Sequence, residues 1–131
     1  MSQNNETKPS IYPALKYRDG AGALEWLAKA FGFQKNAAHL GPDGGIAHAE
    51  MSFGNGMIML GSHGKPDPKN PWSTEPVGVY CYVADVDAHY KRAKAAGAEI
   101  VRELKDTDYG AREYSARDLG GHLWSFGTYR P

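Results

Sequence analysis

The sequence predicts an α+β fold made of two β-α-β-β-β modules, and three observations support this prediction. An aspartate precedes an amphipathic helical pattern twice, at Asp19 and at Asp85, and each pattern ends near a glycine, Gly32 and Gly97. One strand-like run comes before each helix, and three come after it. The pattern therefore repeats once within 131 residues, a length that suits one domain or two small modules sharing a core.

The first predicted module covers residues 11–61. IYPALKYRD alternates as a strand does, Asp19 is a plausible N-cap, and Gly32 is a plausible stop for the helix GAGALEWLAKAFGF. The apolar stripe of that helix consists of Leu24, Leu27, Ala28 and Phe31. The runs QKNAAHL, IAHAEMSF and MIMLGS then follow, separated by the turn signals GPDGG and GNG. This succession is typical of a β-meander.

The rest of the chain divides into a connection and a second module. Residues 62–76 hold four of the eight prolines without any periodicity, which predicts a linker or mobile loop. The second module covers residues 77–131, with a strand in VGVYCYVAD, a helix in VDAHYKRAKAAGA, and strands in AEIVREL, AREYSARD and HLWSFGTY. Residues 1–10 are polar and predict a disordered N-terminal arm.

Composition excludes several classes of partner. Fifteen Lys and Arg balance fifteen Asp and Glu, so no long-range field attracts nucleic acid or an anionic membrane. The N-terminus lacks a signal-like apolar run, and no stretch approaches the ~20 apolar residues of a membrane span. We therefore expect a cytoplasmic protein. Cys81, the single cysteine, lies in an apolar run and is expected to be buried and unreactive.

In each module the apolar strand face should lie under the helix, which leaves the other face of a curved sheet to line a cleft. The predicted lining is Tyr12, Lys16, His48, Glu50, Met57, Met59, Tyr80, Tyr82, Arg112, Tyr114 and Ser125. This mixture of aromatic and polar side chains suits a medium-sized organic ligand with flat apolar parts. The residues expected to contact that ligand are Tyr12, His48, Glu50, Met59, Trp72, Tyr80, Tyr82, Arg112 and Ser125.

Several of these side chains have more than one interpretation. His48 and Glu50 could be a hydrogen-bonded strand pair, a ligand contact, or an acid and base in catalysis. Trp72 could close over a ligand as part of a lid, or anchor its loop to the protein surface. Arg112 could neutralise an acidic ligand or pair with Glu50.

The remaining histidines suggest no chemistry. His122 follows a Gly-Gly turn and is expected to lie at the rim of the cleft or to cap that turn. We assign no function to His39, His63 and His89, which fall at a strand end, in a loop and on a helix face expected to be exposed.

Three segments, YRDGAGALEWLAKAFGFQ, YVADVDAHYKRAKAAGAEI and YGAREYSARDLGGHLWSFGTY, together resemble the vicinal oxygen chelate superfamily. This superfamily includes glyoxalase I, extradiol dioxygenases, fosfomycin-resistance enzymes and bleomycin-resistance proteins, and the resemblance covers residues 11–129. Its metal-dependent members carry four ligands, and the resemblance implies that the equivalent positions here are Tyr12, Met59, Gly78 and Ser125. None of these side chains offers the imidazole or carboxylate that such a metal requires.

The resemblance therefore implies no metal and no cofactor. It favours the branch typified by dimeric bleomycin-resistance proteins, which sequester a drug without turnover at sites in the dimer interface. The expected partners are a small-molecule ligand and a second copy of the chain. Two alternatives remain: a lyase or isomerase that uses His48 and Glu50 or an unconventional metal site, and an interaction module with a vestigial cavity.

Overall fold

The computed structural model describes Pro9 and residues 11–131, so the predicted N-terminal arm lies outside the described residues apart from Pro9. The chain forms two compact units. The first consists of the described residues up to Ala28 together with Gly32–Glu75, and the second of Lys29–Phe31 together with Pro76–Pro131. The last turn of the first helix is thus grouped with the second unit.

The first unit contains a four-stranded mixed sheet. Its elements in chain order are β1 (Ala14–Tyr17), α1 (Gly20–Phe31), β2 (Gln34–Leu40), β3 (Ile46–Phe53) and β4 (Gly56–Ser62). The strand order is β1-β4-β3-β2, with β1 parallel to β4 and the other pairs antiparallel. The predicted β-α-β-β-β order is confirmed, although β1 begins later than the run IYPALKYRD suggests.

Local hydrogen bonds set the bounds of α1. The Asp19 side chain accepts from the N–H of Gly22 as an N-cap, and Gly32 ends the helix in the left-handed region with φ 85°. The Ser62 hydroxyl oxygen accepts from the N–H groups of Gly20, at 2.8 Å, and Ile46, at 3.1 Å. The start of the helix is therefore fixed to the start of β3 and the end of β4.

The proline-rich connection has internal structure. A 3₁₀ turn covers Pro71–Ser73, and the hydroxyl of Ser73 bonds to the N–H of Asp67 at 2.8 Å and to the carbonyl of Asn70 at 2.7 Å. Ser73 is buried, whereas Trp72 beside it is 56% exposed. The side chain of Trp72 is therefore exposed at a hydrogen-bonded turn of this loop.

The second unit repeats the arrangement of the first. Its elements are β5 (Gly78–Tyr82), α2 (Val86–Ala95), β6 (Glu99–Asp106), β7 (Arg112–Arg117) and β8 (Leu123–Gly127). The strand order is β5-β8-β7-β6, again with one parallel pair, β5 and β8. Asp85 caps α2 by accepting from the N–H of Ala88. Two β-α-β-β-β modules with one mixed sheet each confirm the predicted α+β fold class. Among the described residues, neither helix is long and apolar enough to cross a membrane.

The buried side of the second sheet is an aromatic cluster. Phe31, Tyr114, Trp124 and Phe126 have no exposed surface. The Phe31 ring lies 4.8 Å from Phe126 and 5.6 Å from Trp124, centroid to centroid. Tilted contacts at these distances are favourable for aromatic rings, so this cluster is the main apolar core of the second unit.

The turn between β7 and β8 is built on one buried carboxylate. Oδ1 of Asp118 accepts from the N–H groups of Gly120, at 2.9 Å, and His122, at 3.0 Å, while Oδ2 accepts from Nε1 of Trp124 at 2.9 Å. His122 Nδ1 in turn accepts from the N–H of Val77 at 2.9 Å. DLGGH is therefore a hydrogen-bonded turn that aligns β8 with the start of β5.

His89 does not lie on an exposed helix face, so that expectation is wrong. Its Nε2 is 2.8 Å from the carbonyl oxygen of Phe31, and its Nδ1 is 2.6 Å from the hydroxyl of Tyr114. A carbonyl only accepts, so Nε2 carries the proton, and Nδ1 of the neutral ring accepts from the tyrosine. Burial lowers the pKa of His89 below its usual value of 6.5.

This environment predicts a loss of stability in acid. Because the folded-state pKa of His89 is lowered, its contribution is complete above pH 6.5 and is lost as the pH falls through the folded-state pKa. One such proton gives a slope of at most about 1.4 kcal/mol per pH unit. Urea unfolding followed by tryptophan fluorescence from pH 7.5 to 4.5 measures this slope. His89→Gln should flatten it, whereas the exposed His39→Gln should not. An unchanged slope in His89→Gln would contradict the assignment.

Candidate functional site

The face of the second sheet opposite the aromatic cluster holds a concavity of about 590 Å³. Its lining includes Tyr80, Arg102, Tyr109, Glu113, Ser125 and Tyr129. The strands place these groups in rows, because Tyr80 of β5 pairs with Ser125 of β8, and Ser125 pairs with Ser115 of β7. The two serine hydroxyl oxygens are 2.8 Å apart. Polar groups and aromatic rings thus line the cavity together.

Glu113 is the acidic residue of that lining. It is only 8% exposed, and its carboxylate accepts from Nη2 of Arg102 at 3.0 Å and from the hydroxyl of Tyr109 at 2.6 Å. Gly127, its cross-strand partner, provides the space: a Cβ there would lie 2.6 Å from Cγ of Glu113 and 3.0 Å from the Tyr80 hydroxyl. A glycine inside a strand often marks such a close approach.

Tyrosines form the aromatic part of the cavity. The Tyr80 hydroxyl donates to the carbonyl oxygen of Tyr129 at 2.5 Å. Burial, and then the charge of Glu113, raise the pKa of Tyr80, so its phenol stays protonated. The rings of Tyr109 and Tyr129 meet edge to face at 5.9 Å. These groups can stack against a flat ligand and orient its polar atoms.

Of the predicted contact residues in the second module, Tyr80 and Ser125 line this cavity, and Tyr82 lies further along β5. The expectation that Arg112 and Tyr114 face the cavity is wrong. Arg112 donates to Asp87 of α2 at 2.9 Å and to Asp106 at 3.1 Å, and Tyr114 is in the aromatic cluster. The phase of β7 differs by one residue from the prediction, which moves every side chain of that strand to the opposite face.

The sequence interpretation missed Arg102, Tyr109, Glu113 and Tyr129. A signal for Glu113 was present, because the apolar set of REYSAR is Tyr114 and Ala116. Burying that set leaves Glu113 and Ser115 on the free face. The sequence interpretation placed Arg112 in the cavity instead, because no local pattern in the sequence shows that Asp87 pairs with its guanidinium.

The first unit carries the predicted pair of His48 and Glu50. Nε2 of His48 is 3.0 Å from Oε2 of Glu50, and both side chains are about 40% exposed. Glu50 pairs across the strands with Met59, so these three residues share a face of the first sheet. Tyr12 precedes β1, and Trp72 lies in the proline-rich loop.

A separate concavity of about 670 Å³ lies in the first unit and is lined by Arg18, Asp43, Ser62, His63 and nearby backbone. Asp43 and Ser62 already accept backbone N–H groups. His63 Nδ1 is buried and has no hydrogen-bond partner among the described residues. This concavity has no tyrosine, tryptophan or phenylalanine in its lining, so it fits a flat aromatic ligand less well.

The side chains at the positions that the family resemblance assigns to metal ligands are not suitable ligands for a metal ion. Ala14, not Tyr12, pairs with Met59, and Tyr80, not Gly78, pairs with Ser125. None of these positions supplies imidazole or carboxylate. Within the described part of the chain, no group of three or more His, Cys, Asp or Glu side chains is arranged to hold a metal.

Cys81 does not provide a reactive group near these positions either. Burial raises the pKa of its thiol to about 12, which keeps it protonated and a poor nucleophile or metal ligand.

The paired modules define a protein of the glyoxalase type, and comparison with protein families agrees. The chain belongs to the Glyoxalase/Bleomycin resistance protein/Dioxygenase superfamily, whose model matches residues 12–126. An uncharacterized protein of Mycobacterium bovis is 33% identical over 126 residues, which cover 92% of this chain and 83% of the relative. An uncharacterized protein of Mycobacterium tuberculosis is also 33% identical, with 92% and 74% covered.

Solved structures show the same fold. TioX from Micromonospora sp. ML1 has a TM-score of 0.77 and 35% identity, covering 92% of this chain and 100% of TioX. The fosfomycin resistance protein FosX from Listeria monocytogenes has a TM-score of 0.68 and 14% identity, with 93% and 91% covered. At that identity the second likeness shows the fold alone.

Proposed function

We propose that this protein binds an aromatic or amphiphilic small molecule in the cavity of its second unit and holds it without chemical change. This function corresponds to the metal-free, drug-sequestering branch of the superfamily and to a role in antibiotic resistance. The observation that carries the proposal is the lining of the cavity, which combines Tyr80, Tyr109 and Tyr129 with hydroxyl and carboxylate groups. Such a lining gives stacking area together with a few orienting hydrogen bonds.

The residues of the cavity take distinct parts in this proposal. Tyr80 and Ser125 contact the ligand directly, as the sequence predicted, and Glu113 and Tyr109 join them. Tyr82 is kept as a proposed contact because it lies two residues along β5 from Tyr80 and therefore on the same face of that strand. The contacts expected from the first unit, Tyr12, His48, Glu50, Met59 and Trp72, stay a prediction from the sequence, because none of them lines the cavity of the second unit. Arg112 is removed from the set because two aspartates already hold it.

We also propose that the protein works as a homodimer in the cytoplasm. The dimer follows from the drug-sequestering members that the sequence resembles. Light scattering of the purified protein measures its oligomeric state directly.

Ligand binding should appear as thermal stabilisation. A ligand at 100 times its Kd stabilises the native state by about 2.7 kcal/mol, which raises Tm by roughly 5–10 °C for a chain of this size. Screening flat aromatic antibiotics and metabolites by thermal shift tests this expectation, and mass spectrometry should recover each hit unchanged. Tyr80→Ala should abolish the shift, whereas Tyr90→Ala, on α2 and outside the cavity, should retain it.

Two results, one from this screen and one from metal analysis, would contradict the proposal. One is a hit whose stabilisation survives Tyr80→Ala undiminished. The other is a stoichiometric divalent metal, present after purification without chelator, whose removal abolishes ligand stabilisation.

A second candidate function is acid–base catalysis by the first unit. The observation that favours it is the 3.0 Å contact between His48 and Glu50, since a carboxylate can orient an imidazole for proton transfer. A lyase or isomerase of this kind would convert its ligand during incubation. His48→Asn would then stop the conversion and leave binding by the second unit in place.

A further inference from the structure

We propose that Glu113 makes the cavity of the second unit selective for aromatic ligands that carry a cationic nitrogen, such as an amine or amidinium. Neutral or anionic ligands of the same size would bind more weakly. This inference rests on the proposed function, because it names the class of ligand for the same cavity.

The carboxylate of Glu113 is a fixed feature of the cavity. Its side chain is only 10% exposed, and it lies on β7, which is hydrogen bonded on both sides by β6 and β8. Its Cγ occupies the space over Gly127 that a Cβ would fill. The strand and its neighbours therefore hold the carboxylate group at this position in the cavity.

The two groups that donate to this carboxylate have exposed side chains. Arg102 has a side chain that is 53% exposed and belongs to β6, the edge strand of the sheet. Tyr109, in the connection between β6 and β7, is 59% exposed. Exposed side chains on an edge strand and a turn change rotamer at low cost compared with a buried strand residue.

The proposal requires that a ligand filling the cavity displaces Arg102 and Tyr109 from Glu113. Removing them leaves a buried carboxylate without donors, which is strongly unfavourable unless the ligand supplies donors of its own. A cationic nitrogen supplies both N–H donors and opposite charge, and it also interacts favourably with the surrounding tyrosine faces. A ligand carboxylate would meet like charge instead.

Three probes with one ring system separate charge from shape: 2-naphthylmethylamine, 2-naphthylmethanol and 2-naphthoate. Isothermal titration calorimetry of each probe with the full chain gives the affinities. We expect the amine to bind at least about tenfold more tightly than the alcohol, because a hydrogen bond to a charged group contributes that much or more. The naphthoate should bind most weakly.

Two charge-removing variants identify the source of the selectivity. Glu113→Gln keeps the shape of the side chain and should remove the preference for the amine. Glu99→Gln, the same change at an exposed position of β6 outside the cavity, should leave it intact. Arg102→Met should strengthen amine binding several-fold, because the competing guanidinium is gone. A purely structural Arg102–Glu113 pair would not produce that gain, and this variant serves as the test if Glu113→Gln fails to fold.

The outcomes distinguish this inference from the proposed function. Equal binding of all three probes that is unaffected by Glu113→Gln would overturn the selectivity and leave the binding function standing. Failure of every probe to bind the wild-type protein would overturn both.

Discussion

Replacing Phe31 with alanine should lower the free energy of unfolding by about 3–5 kcal/mol, the range for removing a fully buried phenylalanine. The ring has no exposed surface and contacts Trp124, Phe126 and His89. Its loss leaves a cavity among large rigid rings that cannot close around it. Chemical denaturation followed by tryptophan fluorescence measures the change directly.

Two further variants test the reason for that loss. Phe31→Leu keeps most of the volume and should cost less than about 1.5 kcal/mol. Phe53→Ala removes a ring that is only partly buried and touches Phe33, so its cost should be clearly smaller than that of Phe31→Ala. A loss below about 1 kcal/mol for Phe31→Ala would show that Phe31 is not part of the core of the second unit.

Replacing Asp118 with alanine should destabilise the protein by about 3–5 kcal/mol. The carboxylate is 5% exposed and accepts three hydrogen bonds, two from backbone N–H groups and one from the Trp124 indole. Each buried donor left without a partner costs about 1–3 kcal/mol, and partial access of water to the turn reduces the sum. Urea unfolding curves give the value, and the emission of Trp124 should change with it.

Matched substitutions separate hydrogen bonding from bulk and charge. Asp118→Asn retains one acceptor oxygen but points an NH₂ group at existing donors, so we expect an intermediate loss of about 1–3 kcal/mol. Asp108→Ala, in an exposed turn, should stay within about 0.5 kcal/mol of the wild type. If Asp118→Ala behaves like Asp108→Ala, the turn does not depend on the carboxylate.

The helices and the order of elements along the chain could be predicted because their signals are local. Asp19 and Asp85 cap helices through N–H groups three residues away, and the turn glycines lie beside the elements that they end. The alternation of β3, β4 and β8 also placed Met51, Ile58 and Trp124 on the buried side, where the structure has them.

The wrong predictions concern side chains whose hydrogen-bond partners lie far away along the chain. His89 has a polar side chain in a helix that also carries Asp87, Lys91, Arg92 and Lys94, so its position suggests exposure. Its hydrogen-bond acceptor is the carbonyl of Phe31, 58 residues earlier. Arg112 was placed in the cavity because its partner Asp87 lies on another element, 25 residues earlier. No periodicity within one strand or helix records such a contact.

The cavity was predicted in part for the same reason. Tyr80 and Ser125 could be found because both lie on strands with clear alternation. Glu113 depends on the pairing of β7 with Gly127 of β8, and its partners come from an edge strand and a turn. A glycine within HLWSFGTY was the one local sign that a neighbouring strand approaches closely there.

The parallel pairing of the first and last strand in each module has a consequence for how the chain folds. The antiparallel strands β2 to β4 and β6 to β8 join neighbours through short turns, so they can zip together early. Leu15 meets Leu60, and Tyr80 meets Ser125, only after almost the whole module has been enclosed as a loop. Closing loops of that length costs chain entropy, so these contacts form late and slow folding. Docking of β5 onto β8 should therefore be a late event, and the tyrosine-lined receptacle that those strands share should form only as folding is completed.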